Sequence, residues 1–149
     1  MLNAEASLLT KSSVNLTNTF IKFAPTASIP SATNSAGEQP FGQIIRLAGA
    51  LANRSAGGAV RYSYNNADPA NGTNVKGGNR VFDPFPVGMR MEIDTDATPE
   101  TTKLYVGVRD ARVRLTFTMA DGSAAQEVVE IDHRNEAMAT YVIEVDHQA

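Results

Sequence analysis

Residues 111–132 read ARVRLTFTMADGSAAQEVVEID. In the first nine of these residues apolar and polar side chains alternate strictly, which is typical of a β-strand with one buried face. An Asp-Gly pair follows, and then a second alternating segment, AQEVVEID, so the stretch predicts a β-hairpin. The strongest pattern in the chain therefore indicates antiparallel β-structure.

The length of the hairpin loop decides which side chains lie opposite each other. A two-residue loop, Asp121-Gly122, would set arginines opposite apolar residues, because a slip of one residue inverts every side chain. A three-residue loop, Ala120-Asp121-Gly122, matches the faces, places Val113 opposite Val129 and requires a left-handed conformation at the glycine. A loop over 121–123 keeps the same parity and is the alternative.

Further alternating segments flank the hairpin, so that residues 89–146 predict five strands in an antiparallel meander. Two segments nearer the N-terminus, 14–23 and 59–65, also predict strands. Residues 42–53 fit either a helix or a strand, and their alanines favour one short helix. Together these elements predict an all-β fold, a single-domain antiparallel β-sandwich over residues 1–149, of which a jelly roll is one form.

The composition excludes several classes of protein. The chain has 149 residues, no cysteine and a formal net charge of −3. Without cysteine there is no disulfide scaffold, thiolate metal site or cysteine nucleophile. Residues 1–91 carry a side-chain charge of about +4 and residues 92–149 about −7. These charges either mix on one surface or form complementary faces on neighbouring subunits.

The sequence also bears on location. The first residues, MLNAEASLLTKSS, contain no basic region and no long apolar run, so we expect no signal peptide. No apolar stretch is long enough to span a bilayer, so we expect no transmembrane segment and no membrane partner.

No motif predicts a catalytic, cofactor or metal site. The segment GTNVKGGN lacks the spacing of a phosphate-binding loop, and no serine lies in a Gly-x-Ser-x-Gly motif. Four glutamates lie on predicted strands, where we expect them on the solvent face rather than as a glycosidase pair; they are Glu92, Glu127, Glu130 and Glu144. We therefore predict that the protein is not an enzyme.

Two groups of residues contain side chains that can bind a metal ion. Asp94, Asp96 and Glu100 resemble a fragment of a calcium loop, but the remaining ligands of that loop are missing, which favours a solvated turn. His133 and His147 end predicted strands, where we expect exposed side chains. A shared His-His-Asp site stays open if the two strand ends meet.

Long segments rich in small residues suggest intersubunit contacts. Residues 1–13 and 24–40 are predicted to be extended arms or linkers, and residues 65–88 a long Asn/Gly/Pro loop. Phe82 and Phe85 in that loop either pack on their own domain or dock on a neighbour. The candidate interface residues are Tyr62, Tyr64, Arg80, Phe82 and Phe85.

Two other functions compete with assembly. Tyr62 and Tyr64 with the 65–86 loop would suit a carbohydrate- or ligand-binding module. A nucleic-acid-binding coat protein would use the basic residues of the same region, which are Arg46, Arg54, Arg61, Lys76, Arg80 and Arg90.

The cysteine-free chain, the segments FIKFAPTASIPSATNSAGEQP and NNADPANGTNVKGGN, and the alternating C-terminal half resemble small all-β virion proteins of tailed bacteriophages. These are head decoration or cement proteins and tail components. The resemblance implies a β-sandwich or barrel, usually trimeric or higher, that binds a capsid or tail lattice. It transfers no functional residue. We accordingly expect a virion component, assembled in the host cytoplasm, whose partners are copies of itself and other virion proteins.

Overall fold

The structure, a computed structural model, describes residues 1–16, 22–25, 33–34, 41–48, 50–54, 60–64, 67–68, 72–75, 78–82, 88–93 and 95–149. Every regular element in these residues is a β-strand, which confirms the all-β prediction. No helix in this part of the chain has the length and apolar composition needed to cross a membrane. Contacts group the chain into two compact units, Met1–Thr10 with Asp94–Ala149, and Lys11–Ile93. The prediction of a single domain stays a prediction.

The first unit contains two antiparallel sheets. Their strands are β1 (Leu2–Leu8), β12 (Glu100–Val108), β13 (Ala111–Phe117), β14 (Glu127–His133) and β15 (Ala139–His147). A three-stranded sheet has the order β1-β15-β12, and a hairpin sheet consists of β13 and β14.

The core of this unit lies between the two sheets. Ile143 and Val145 of β15 and Ile131 of β14 form a buried cluster. Apolar residues of both sheets pack against it, namely Leu2, Ala4, Ala6, Leu104, Val106, Val113, Leu115, Phe117, Val129 and Tyr141. Because one cluster takes side chains from both sheets, the sheets face each other across it, as in a β-sandwich. The jelly-roll form stays a prediction.

The hairpin has the predicted parity. Val113 pairs with Ile131, Arg114 with Glu130 and Leu115 with Val129, so apolar residues face apolar residues. This is the register expected for the alternative loop over 121–123. The predicted pairing of Val113 with Val129 is wrong, because the observed partner of Val113 lies two residues further along β14. Gly122 has a φ of 71°, the left-handed conformation expected of it. Its N–H donates to the Met119 carbonyl at 3.0 Å and closes the turn.

The meander predicted for 89–146 is wrong in its connections. After β12 the chain enters the hairpin sheet, and it returns to the three-stranded sheet only with β15, which pairs with β12. The strand over 88–91 belongs to the other unit. Alternation identifies strands but does not say which edges meet, because pairing depends on how apolar faces pack in three dimensions.

The arm predicted at residues 1–13 is wrong for most of its length. Leu2–Leu8 is strand β1, and its seven residues pair with β15 from Leu2 opposite His147 to Leu8 opposite Tyr141. Its half-buried residues Leu2, Ala4 and Ala6 alternate with exposed polar ones. This alternation is visible in the sequence, but small alanines make it a weaker strand signal than the β-branched residues of the C-terminal strands.

The second unit is also built from strands. They are β2 (Ser13–Leu16), β3 (Lys22–Pro25), β4 (Thr33–Asn34), β5 (Phe41–Ala48), β6 (Ala50–Arg54), β7 (Arg61–Tyr64), β8 (Ala67–Asp68), β9 (Gly72–Val75), β10 (Gly78–Phe82) and β11 (Gly88–Met91). They pair in the orders β2-β7-β9, β11-β5-β3, β10-β6 and β4-β8. The β2–β7 and β3–β5 pairs are parallel, which departs from the purely antiparallel prediction.

The short helix predicted within 42–53 is wrong, because this region forms β5 and β6. Helix propensities differ by fractions of a kcal/mol per residue. Pairing with β3, β11 and β10 supplies hydrogen bonds that override so weak a preference.

The long loop predicted for 65–88 is also corrected, since β8, β9 and β10 lie within it. Its glycines and asparagines are compatible with short strands that hydrogen-bond to β4, β7 and β6. Apart from β4 and two residues of β3, the predicted arm at 24–40 lies outside the described residues.

Candidate interaction surfaces

The five predicted interface residues are divided between two strands. Tyr62 and Tyr64 lie in β7, opposite Val75 and Gly72 of β9. Arg80 and Phe82 lie in β10, opposite Ala52 and Ala50 of β6. The strands β7 and β10 belong to different sheets, so strand pairing does not bring the four residues together. Phe85 lies outside the described residues, and docking of the two phenylalanines stays a prediction.

The solvent face of the three-stranded sheet carries a row of charges. Glu5 of β1 lies directly opposite Glu144 of β15, which lies opposite Lys103 of β12. The Lys103 Nζ is 3.9 Å from the Glu144 Oε1, and both side chains are more than half exposed. No ion pair among the described residues includes Glu5. Like charges opposite each other across a strand pair destabilise the pair, so Glu5 is poorly accommodated.

A second row on this face has a hydrogen bond in place of an ion pair. The Thr101 hydroxyl donates to the Asp146 Oδ1 at 2.6 Å across the β12–β15 pair. A hydroxyl donor stabilises the carboxylate without a counter-charge. The poorly accommodated charge of the face is therefore Glu5, on its β1 edge.

The solvent face of the hairpin sheet carries two ion pairs, and Arg112 takes part in no ion pair among the described residues. Arg114 donates from Nε and Nη2 to the Glu130 Oε1 at 3.0 and 2.8 Å. Arg134 donates from Nε and Nη2 to the two carboxylate oxygens of Asp132 at 2.9 and 2.8 Å. The hydrogen bonds and positive charge of Arg134 lower the pKa of Asp132 to about 2.

These charged residues line an open depression of about 570 Å³ on the hairpin sheet. Its polar lining residues are Arg112, Arg114, Glu130 and Asp132. Since Arg114 and the two acidic side chains already have partners, a charged ligand would have to break existing ion pairs to bind. The depression is therefore a weak candidate for a ligand site.

The two histidines end β14 and β15 as predicted, but they are buried and not exposed. His133 is 6% exposed and His147 is 7% exposed. In the pairing of the three-stranded sheet, His147 lies between Leu2 and Glu100 on the core side. Burial of a polar ring is tolerated when its nitrogens have hydrogen-bond partners.

Each histidine has its own set of partners. The Nδ1 of His147 lies 2.7 Å from the Thr95 hydroxyl, and its Nε2 lies 2.8 Å from the Thr102 hydroxyl. The Nε2 of His133 lies 2.6 Å from the Ala137 carbonyl and donates to it, because a carbonyl only accepts. These contacts tie His147 to the loop before β12 and tie His133 to the β14–β15 turn.

The remaining contacts of His133 come from Tyr141 and Glu136. Its Nδ1 lies 3.0 Å from the Tyr141 hydroxyl and 3.1 Å from the Glu136 Oε2. The His133 and Tyr141 rings also pack edge to face, with centroids 5.7 Å apart. The two histidines share no partner, and no group of three potential metal-ligating side chains occurs among the residues described, which exclude Asp94.

The predicted solvent-facing carboxylates are exposed in three of four cases. Glu92, Glu130 and Glu144 are exposed, whereas Glu127 is half-buried at the start of β14. Glu130 and Glu144 lie in different sheets.

Comparison of the chain with protein-family models, curated proteins and solved structures finds no match.

Proposed function

We propose that this protein is a non-enzymatic structural protein that assembles with copies of itself, as a capsid-associated or tail component of a virion. The observation that carries self-assembly is the pair of outer strands in the three-stranded sheet. Among the described residues β1 and β12 each pair with β15 alone, so each has one edge without a neighbouring strand. An unpaired strand edge offers a row of backbone donors and acceptors to another chain.

The β1 edge has little of the protection that keeps strands apart. Neither β1 nor β12 contains proline, and β1 has a single charged residue, Glu5, whereas β12 has two, Glu100 and Lys103. At the end of β1, Leu8 is 53% exposed. Long edge strands of this kind favour association with another strand.

The virion part of the proposal rests on the resemblance to small all-β phage proteins. It is supported by the cysteine-free composition and by the segments rich in small residues at 24–40 and 65–79. Partners other than further copies would be the capsid or tail proteins of the same particle.

The test is the mass distribution of the purified protein between nanomolar and micromolar concentration, measured by mass photometry and followed by negative-stain electron microscopy. We expect oligomers whose population rises with concentration. Binding to purified capsids or tails tests the virion assignment separately. A protein that stays monomeric at micromolar concentration and does not bind these particles would overturn the proposal.

The same preparation separates the two competing functions. A carbohydrate-binding module would give specific signals on a glycan array. A nucleic-acid-binding coat protein would retain oligonucleotides at low salt and release them as salt rises. Either result from a monomeric protein would replace the assembly proposal.

A further inference from the structure

The two edge strands of the three-stranded sheet run in the same direction. Both β1 and β12 are antiparallel to β15, so they are parallel to each other. If β1 of a second copy lay beside β12 of the first, the sheet would continue as a parallel strand pair. One copy would contribute its β12 edge and the other its β1 edge.

Three rows on the core face have matching character at the two edges, whereas a fourth runs from Leu2 to Glu100. Through β15, Ala4 lies in the same row as Thr102, Ala6 in the same row as Leu104, and Leu8 in the same row as Val106. Continuing these rows into a second copy places apolar and small side chains side by side on the core face. The contact would cover Leu8, which is 53% exposed in the single chain.

The row of charged residues makes the β1 edge electrostatically complementary to the β12 edge. Within one chain it reads Glu5, Glu144, Lys103, so a carboxylate ends it at the β1 edge and an ammonium ends it at the β12 edge. In the continued sheet Glu5 of the second copy lies next to Lys103 of the first. Neighbouring strands are about 4.8 Å apart, a distance at which opposite charges interact directly.

The alternative pairing of β1 with itself is electrostatically worse. The β1 sequence LNAEASL is nearly symmetric about Glu5, so antiparallel pairing centred on that residue sets Glu5 against Glu5 of the second copy. Two more carboxylates, one Glu144 from each copy, would flank that pair. Repulsion in such a row disfavours this contact at neutral pH.

We propose that a second copy of this chain adds its β1 strand in parallel to β12 of the first, with Glu5 of one copy beside Lys103 of the other. This contact gives the proposed self-assembly a specific surface and rests on that proposed function. Because it joins two different edges, it is heterologous and propagates into a closed ring or an open filament.

Charge-reversed variants test the contact. Glu5→Lys alone and Lys103→Glu alone each place like charges across the interface, and we expect each to weaken self-association about tenfold. An equimolar mixture of the two variants restores opposite charges at every interface of an alternating assembly. The mixture and the double variant E5K/K103E should both recover association, measured by sedimentation velocity at low salt.

Arg114→Glu provides the matched control. It reverses the cation of an exposed ion pair on the hairpin sheet, comparable to the Lys103–Glu144 pair. We expect it to leave self-association unchanged. Thermal unfolding of every variant verifies that it is folded. Lys103→Gln is a second variant at this position, and it removes the ammonium without adding a third carboxylate to the row of Glu5 and Glu144.

The outcomes are distinguishable. If the wild type assembles and all variants assemble equally, the β1–β12 contact is overturned while self-assembly stands. If Glu5→Lys changes association and neither Lys103 variant does, the contact is overturned in favour of β1 pairing with itself. A wild type that is monomeric at every concentration overturns the contact together with the proposed self-assembly, and binding to purified capsids or tails then decides whether the virion assignment stands.

Discussion

Two sheets form the unit of Met1–Thr10 and Asp94–Ala149. They bury similar residues but differ in how the charged side chains on their outer faces are paired. In the three-stranded sheet the central strand β15 has neighbours on both sides, and Ile143 is 0% exposed. The hairpin sheet covers that core with Ile131, and it carries two close ion pairs, Arg114–Glu130 and Arg134–Asp132, each at 2.8 Å. The three-stranded sheet instead leaves Glu5 without an ion-pair partner among the described residues. Both sheets have unpaired outer edges among the described residues. They differ in that Arg114 and Glu130 of the hairpin sheet pair with each other at 2.8 Å, whereas Glu5 at the β1 edge lies opposite a like charge. An opposite charge from a second chain would therefore stabilise the β1 edge more.

The largest effect should come from the central strand. Ile143→Ala removes a fully buried side chain and leaves a cavity between the sheets, which should lower the free energy of unfolding by about 2–5 kcal/mol. Val128→Ala in the hairpin sheet, where the side chain is 49% exposed, should change it by less than about 0.5 kcal/mol. Urea denaturation of both variants measures the difference. Equal losses would contradict the central position of β15 in the core.

A smaller effect is expected at the hairpin turn. Gly122 has a φ of 71°, and an added Cβ would meet no atom within 4 Å. Gly122→Ala should therefore cost about 1–2 kcal/mol through the left-handed backbone alone. The matched variant is Gly107→Ala in β12, where the nearest atom, the Met138 Sδ, lies at an ordinary 3.5 Å. Thermal unfolding should show a lower midpoint for the first variant, and a larger loss from the second would contradict the assigned turn.

The smallest effect concerns pH and the surface pair of the hairpin sheet. The pKa of Asp132 is lowered from its ordinary 3.8 to about 2 by hydrogen bonds from Arg134. A carboxylate with a depressed pKa contributes stability above its unfolded pKa, and this contribution is lost as pH falls from about 4 to about 2. Asp132→Asn should make the loss of thermal stability over this range less steep.

Arg134→Gln removes the donors and should flatten the same pH dependence. Glu144→Gln in the three-stranded sheet serves as the control for loss of an exposed carboxylate. If the Asp132 and Arg134 variants keep the wild-type slope between pH 4 and 2, the pair does not contribute in solution.

The hairpin shows how much of the structure a local sequence pattern can predict. Alternation from Ala111 to Met119, together with the Asp-Gly turn, predicted both strands, their buried faces and the left-handed glycine. Parity restricted the register to two choices that differ by two residues, and the structure has the second. Both choices bury the same faces, so the hydrophobic pattern cannot distinguish them.

The same kind of local pattern does not predict the surface proposed for assembly. Residues 1–13 were predicted to be an arm, although Leu2, Ala4 and Ala6 alternate with Asn3, Glu5 and Ser7. The pattern was present, but its small alanines and serine give a weak signal beside the valines and isoleucines of the C-terminal strands. The row of Glu5, Glu144 and Lys103 exists only once β1 and β12 pair with β15.

The sequence by itself determined that four strands lie between residues 100 and 147 and which of their apolar side chains face the core, because the two-residue period of a strand is a local property of the chain. Only the tertiary structure decided that β1 and β12 flank β15, that the hairpin forms a second sheet, and that His133 and His147 are buried. These features depend on contacts between distant segments. Their hydrogen bonds and packing energies depend on which edges and faces meet, and no local pattern specifies that choice.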